Sequence, residues 1–199
     1  MHLSDGVLPV GTVVAGYIVA GAGLAASLRS LKSDDMPRVA VMSASFFVAS
    51  LIHVRLGAAV SVHLLLHGLV GIILGVHALP AIAVGLILQA LQFGHGGILT
   101  WGVNTCIMGL PAVALGLMYR KVSCGHTAFW KASIGGVTAG GAVLVSAILA
   151  ALALMTAGES FHQVAWALVV AHIPIILIEG VVTAFVVSFL LKVKPEMLQ

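Results

Sequence analysis

Between Leu56 and Tyr119 the chain carries no Asp, Glu, Lys or Arg, a run of 64 residues. Such a stretch cannot cover a water-exposed surface, because soluble domains devote about a quarter of their residues to those four types. A hydrocarbon core ~30 Å thick takes ~20 apolar helical residues per crossing, so the run has room for about three. The remainder agrees, with 61% hydrophobic and 8% charged residues overall and a mean hydropathy of +1.19. The expected fold class is an all-α integral membrane bundle. Residues 1–199 form a single transmembrane domain, and 1–9 are a short polar tail inserted into it.

Charges, prolines and glycines divide the chain into about seven spans. The first runs from about Pro9 to Leu28 and ends at the charged loop containing Arg29, Lys32, Asp34, Asp35 and Arg38. A short second span covers about Val39 to Val54. Breaks at Gly75–Pro80 and Phe93–Thr100 cut the uncharged run into spans three, four and five. Span six follows from about Ala132 to Ala157. Span seven extends from about Phe161 to Leu191 and is interrupted by Pro174. Eight of the nine basic residues, all but Arg55, follow spans one, five and seven, which alternation puts on one side. The positive-inside rule makes that side cytoplasmic, so the amino terminus is expected outside and the carboxyl terminus inside. These same residues account for the net charge of +3, which reports topology and implies no nucleic acid. Cys106 and Cys124 are too few for a disulfide framework or a multi-thiolate zinc site. Small residues at helical spacing, Gly16 with Ala20 and Gly136 with Gly140, suit close helix contact or a docked helix. Asp5 stands where a cleavable leader would be positive, so the terminus is expected to survive.

An intact Met1-His2 terminus is a chelator. The Met1 amine, the His2 amide nitrogen once deprotonated and the His2 imidazole close two adjacent rings on one cation. Nitrogen donors in a tetragonal plane suit Ni(II), Cu(II) and by extension Co(II), whereas Mg and Ca prefer oxygen. The fourth nitrogen must come from the bundle. Ionisable residues at membrane depth are costly and mark functional sites. His63 and His67, four residues apart, are read as sharing one helical face. His63 lies nearer the outer surface, within reach of a nine-residue tail, and is the chosen fourth ligand. His67, one turn deeper, is a partner of that ligand, a transient ligand on the ion's way in, or a satisfied core residue. The Phe93-Gly-His-Gly-Gly97 loop can approach the tail closely, bringing His95 near the ion or leaving it exposed. Gln92 and Asn104 stand beside that loop as hydrogen-bonding partners for the tail. Glu179 lies deep in span seven, expected to be protonated or paired with a histidine, since a lone buried carboxylate is expensive.

Several segments resemble the CbiM/NikM family: Met1-His-Leu-Ser-Asp-Gly-Val-Leu-Pro9, Ser61-Val-His-Leu-Leu65, Gln89-Ala-Leu-Gln-Phe-Gly-His-Gly-Gly97, Gly102-Val-Asn104, His172-Ile-Pro174 and Ile178-Glu-Gly180. The similarity runs essentially the whole chain. It implies the substrate-capture subunit of an energy-coupling-factor importer of Co2+ or Ni2+, the metal being the transported substrate and no cofactor being bound. The ligands would be the Met1 amine, the His2 amide and imidazole, and His63. Implied partners are a transmembrane coupling subunit, two ATPase subunits and a small accessory membrane subunit of the CbiN/NikN type. The setting is a bacterial or archaeal inner membrane. No Gly-x-x-x-x-Gly-Lys-Ser/Thr loop is present, so ATP hydrolysis falls to other chains. The competing readings are a proton-coupled permease using Glu179 and the histidines, and an intramembrane enzyme. The second lacks His-Glu-x-x-His.

Overall fold

The computed structural model describes residues 2–55 and 61–198. α1 (Val10–Ser30) begins directly after Pro9, which stays in an extended conformation as its N-cap. A turn over Ser33–Asp35 leads to α2 (Met36–Ala49). Two three-residue strands follow, β1 (His53–Arg55) and β2 (Ser61–His63), paired antiparallel with His53 opposite His63. α3 (His67–Leu74) and α4 (Ala78–Phe93) form a broken span, turned at Gly75, whose φ of +57° suits a residue without Cβ. α5 (Trp101–Val122) and α6 (Ala128–Met155) are long and continuous. α7 (His162–Ala171) and α8 (Ile173–Val193) meet at His172, with Pro174 in the first turn of α8. That is the interruption expected at this proline.

Among the described residues, five helical stretches are long and apolar enough to cross a bilayer: Val10–Ser30, His67–Phe93, Trp101–Val122, Ala128–Met155 and Glu159–Val193. Seven spans were expected. Of the two expected spans not among these five, one is α2, which has 14 residues against the ~20 of a full crossing. The other is the span expected to begin near Leu56. From Ser61 to Leu66 the chain is not helical, so His63 and His67 do not share a helical face. Two causes are visible. The segment is dense in β-branched residues, Ile52, Val54, Val60 and Val62, which lose χ1 freedom in a helix. Its backbone also finds partners elsewhere: the β1–β2 pairing, Leu64 N–H on the Ile52 carbonyl at 3.2 Å, and a carboxylate at Leu65 and Leu66. Non-helical backbone at membrane depth survives only where protein satisfies it in this way.

α3 and α4 form the centre. Val70, Ile72, Ala78, Ala81 and Ile82 are essentially inaccessible, packed between α2, α5 and α6. α1 lies against α5, and α8 against α6. The α6–α8 crossing is close because both sides are small. A Cβ on Gly136 would lie 2.7 Å from the Gly180 carbonyl oxygen. Of the small residues singled out in the sequence, Gly16 meets Val103, Gly136 meets Gly180 and Gly140 meets Ile176, so these glycines serve internal packing.

Candidate functional site

The tail enters the bundle and is held by its main chain. Leu3 and Leu8 are buried. The Asn104 carboxamide in the first turn of α5 reads Leu3 as a neighbouring strand would: Oδ1 accepts from the Leu3 N–H at 3.0 Å, and Nδ2 donates to the Leu3 carbonyl at 3.0 Å. Thr100 adds its hydroxyl to that carbonyl at 2.7 Å.

Asp5 supplies the second anchor. Its carboxylate accepts the Thr100 N–H at 2.9 Å and the Leu99 N–H at 3.3 Å, with the Thr100 hydroxyl at 3.0 Å. These amides open α5, which has no side-chain cap of its own, so an acid from the tail caps it in trans where the helix dipole favours negative charge. What little burial Asp5 has pushes its carboxyl up, but the Thr100 and Leu99 hydrogen bonds outweigh it and hold it below the usual carboxylate value. The loop returns the contact through Asp5 N–H on the Gly96 carbonyl at 3.3 Å. Gly96 and Gly97 both have positive φ. A Cβ at Gly96 would stand 2.9 Å from Asn104 Nδ2, and one at Gly97 would collide with the Asp5 carboxylate. Glycine is therefore required twice, by conformation and by space.

This clamp brings three imidazoles together. The His2 and His63 ring centroids are 5.0 Å apart with planes 7° from parallel. His95 lies 6.2 Å from His2 and 6.1 Å from His63. Both ring nitrogens of His2 are buried and make no hydrogen bond among the described residues. His63 Nδ1 is 3.1 Å from the Leu64 carbonyl; an N–H there leaves Nε2 as the basic nitrogen, the arrangement that commonly orients a ligating histidine. No three His, Cys, Asp or Glu side chains among the described residues form a ready-made metal cage.

The other residues singled out from sequence fall in different places. Met1 lies outside the described residues. Asn104 hydrogen-bonds Leu3 of the tail, whereas Gln92 is exposed, and its neighbour one turn back, Gln89, is the buried one. His95 is drawn in beside His2 rather than left on an exposed loop. His67 is fully buried in the core, with Nε2 3.0 Å from Ser146 Oγ. Glu179 is paired with backbone rather than a histidine. Its Oε1 accepts the Leu65 N–H, and both carboxylate oxygens lie 2.9 Å from the Leu66 nitrogen. It caps α3 in trans, as Asp5 caps α5, and so fixes the backbone two residues beyond His63. Sequence reasoning missed Asp5 and Thr100. A Thr directly before a helix start is a capping signal, whereas nothing local tells that the carboxylate arrives from 95 residues away.

The family model for CbiM, "Cobalt uptake substrate-specific transmembrane region", matches residues 2–197. The chain belongs to the CbiM family. Membership makes it a multi-pass membrane protein of metal uptake, and its relatives are described as transport proteins. A Haemophilus influenzae protein assigned to metal transport is 36% identical over all of this chain and 97% of its own length. The cobalt transport protein CbiM of Sorangium cellulosum is 30% identical, covering all of this chain and 94% of its own. Among solved structures, a truncated transition metal transporter superposes with a TM-score of 0.77 at 26% identity, covering 96% of this CbiM-family chain and 99% of that one. A second transition metal transporter gives a TM-score of 0.75 at 27% identity, over 97% and 93% of the two chains.

Proposed function

We propose that the chain is the substrate-capturing membrane subunit of an ATP-driven, energy-coupling-factor importer, taking up Co2+ or Ni2+. The ion is held by the Met1 amine, the His2 amide nitrogen and imidazole, and the His63 imidazole. The observation that carries this reading is the meeting of His2 and His63, 5.0 Å between centroids, at the end of a tail clamped by Asn104, Thr100 and Asp5. The donor set is all nitrogen, which suits these two ions and disfavours Mg and Ca. The basic ends of α1, α5 and α8 support an orientation with the tail outside and the carboxyl terminus in the cytoplasm. Partners are a coupling membrane subunit, two ATPase subunits and a small accessory membrane subunit, because this sequence carries no phosphate-binding loop of its own.

The test pairs binding with uptake. The purified chain is titrated with Co(II) and Ni(II), and cells expressing it with or without the ATPase subunits are assayed for metal accumulation. Tight binding by the chain together with uptake that requires the ATPases is expected. Uptake by the chain alone that collapses with the proton gradient would overturn the reading in favour of a permease.

A further inference from the structure

We propose that the basic end of the bundle holds one anionic glycerophospholipid, its phosphodiester between the guanidinium groups of Arg38 and Arg120 and its two acyl chains in the apolar grooves that adjoin them. Arg29, Arg120 with Lys121, and Lys192 occupy the last turns of α1, α5 and α8. The 22 residues of α5 rise about 33 Å, slightly more than the ~30 Å hydrocarbon core, so this end lies at headgroup level. A pocket of about 220 Å³ is walled there by Asp35 and Arg38 around the start of α2, by Leu74 and His77 on either side of Gly75, and by Arg120. Main chain fixes both arginines: Arg120 Nη2 donates to the Ile73 carbonyl at 2.9 Å and Arg38 Nη2 to the Met197 carbonyl at 3.3 Å. A Cβ on Gly75 would lie 3.3 Å from Arg120 Cζ, so the guanidinium lies over that turn. The Nε of each arginine is buried and has no hydrogen-bond partner among the described residues. A buried donor left in that state is costly until a ligand takes it. Guanidinium is also the group whose planar fork matches phosphate.

Two apolar grooves share walls with this pocket. One, of about 440 Å³, meets it at Val76 and passes between α1 and α5 along Gly23, Ala26, Leu110 and Val113. The other, of about 400 Å³, meets it at Arg38 and lies against Val41, Met42 and Met197, with Lys194 and Glu196 also in its wall. One charged group with two apolar tails fits that layout, whereas a free phosphate would leave both grooves unused. The formal charges of Arg38, Arg120 and Asp35 leave one positive unit in the pocket, which a phosphodiester, a monoanion, cancels. The pocket is also smaller than the ~300–1,000 Å³ of sites for larger organic ligands, too small for a nucleotide. Basic pockets between spanning helices are where anionic headgroups settle.

The purified full-length chain in neutral detergent is titrated with phosphatidylglycerol, phosphatidylcholine or inorganic phosphate while its melting temperature is followed, and native mass spectrometry counts bound lipid. Phosphatidylglycerol should bind once per chain and raise the melting temperature by roughly 3–6 °C at about ten times its dissociation constant. Phosphatidylcholine and phosphate should not. The gain should vanish in the Arg38→Gln/Arg120→Gln double variant, fall in Val76→Trp, which fills the mouth of the first groove, and persist in Lys192→Gln, an exposed charge at the same end. Val76→Trp keeps both arginines and their carbonyl bonds, and decides the matter should the double variant not fold. A full gain in either folded variant, or one that inorganic phosphate reproduces, overturns the lipid site. So does the absence of any lipid effect; if the folded arginine variant then also fails to co-purify with partner subunits, the pocket takes an acidic side chain from one of them instead.

Discussion

Replacing Asn104 by alanine removes both hydrogen bonds between its carboxamide and Leu3 while leaving every proposed metal ligand in place. The Leu3 carbonyl keeps the Thr100 hydroxyl. The Leu3 N–H has no such substitute in a residue only 4% exposed. One net hydrogen bond is worth about 1 kcal/mol, and an orphaned buried donor about 1–3 kcal/mol. Tail docking should therefore weaken by about 2–4 kcal/mol, roughly 30- to 700-fold. That factor is an upper limit for metal affinity, because an apo tail docked with energy to spare absorbs part of the loss before binding suffers. Two measurements separate these cases. Hydrogen exchange of the Leu3 amide in the apo protein reads docking directly, and calorimetric titration with Co(II) and Ni(II) reads affinity, with Gln92→Ala as an exposed control. Loss of Leu3 protection together with weaker binding is expected. Leu3 exchange unchanged in Asn104→Ala would refute the clamp, and lost protection with undiminished affinity would detach the tail from the metal site.

Adding one residue ahead of Met1 converts the terminal amine to an amide and should abolish tight metal binding without lowering the apo melting temperature; titration of the extended protein checks this. His63→Ala should cause a large loss of affinity. His67→Ala should cost binding no more than about 10- to 100-fold, its main effect being a lower melting temperature from the lost Ser146 partner. Glu179→Gln, which keeps the shape but not the charge at the amides of Leu65 and Leu66, should lower stability by about 1 kcal/mol or more and weaken binding through His63; unchanged melting and affinity would exclude the trans cap. For Asp5, the folded carboxyl sits below its unfolded value, so its stabilisation of tail docking is complete above the ordinary carboxylate range and is lost as pH falls through the lower folded value. Exchange of tail amides against pH should show that step in the wild type and not in Asp5→Asn.

Sequence alone determined the solvent. A charge-free run from Leu56 to Tyr119 admits only a bilayer, and the helix ends at Phe93, Trp101 and the His172–Pro174 break follow from glycine and proline, whose effects on backbone are local. The proposed terminal chelate also came from sequence, since Met1 and His2 are adjacent and need no fold to be neighbours. What it misjudged was non-local. Spacing of four made His63 and His67 look like twins, yet one lies on a strand and the other opens a helix, because the carboxylate of Glu179 satisfies Leu65 and Leu66 from 113 residues or more away. The exposure of Gln92, the burial of Gln89, and the capture of His95 depend likewise on which face of α4 meets the bundle and where its terminal loop lands. Apolar periodicity is too weak to settle that in a chain hydrophobic on all sides. Only packing, by pinning Asp5 across Gly97 and onto α5, decided that three histidines from three distant segments share one point.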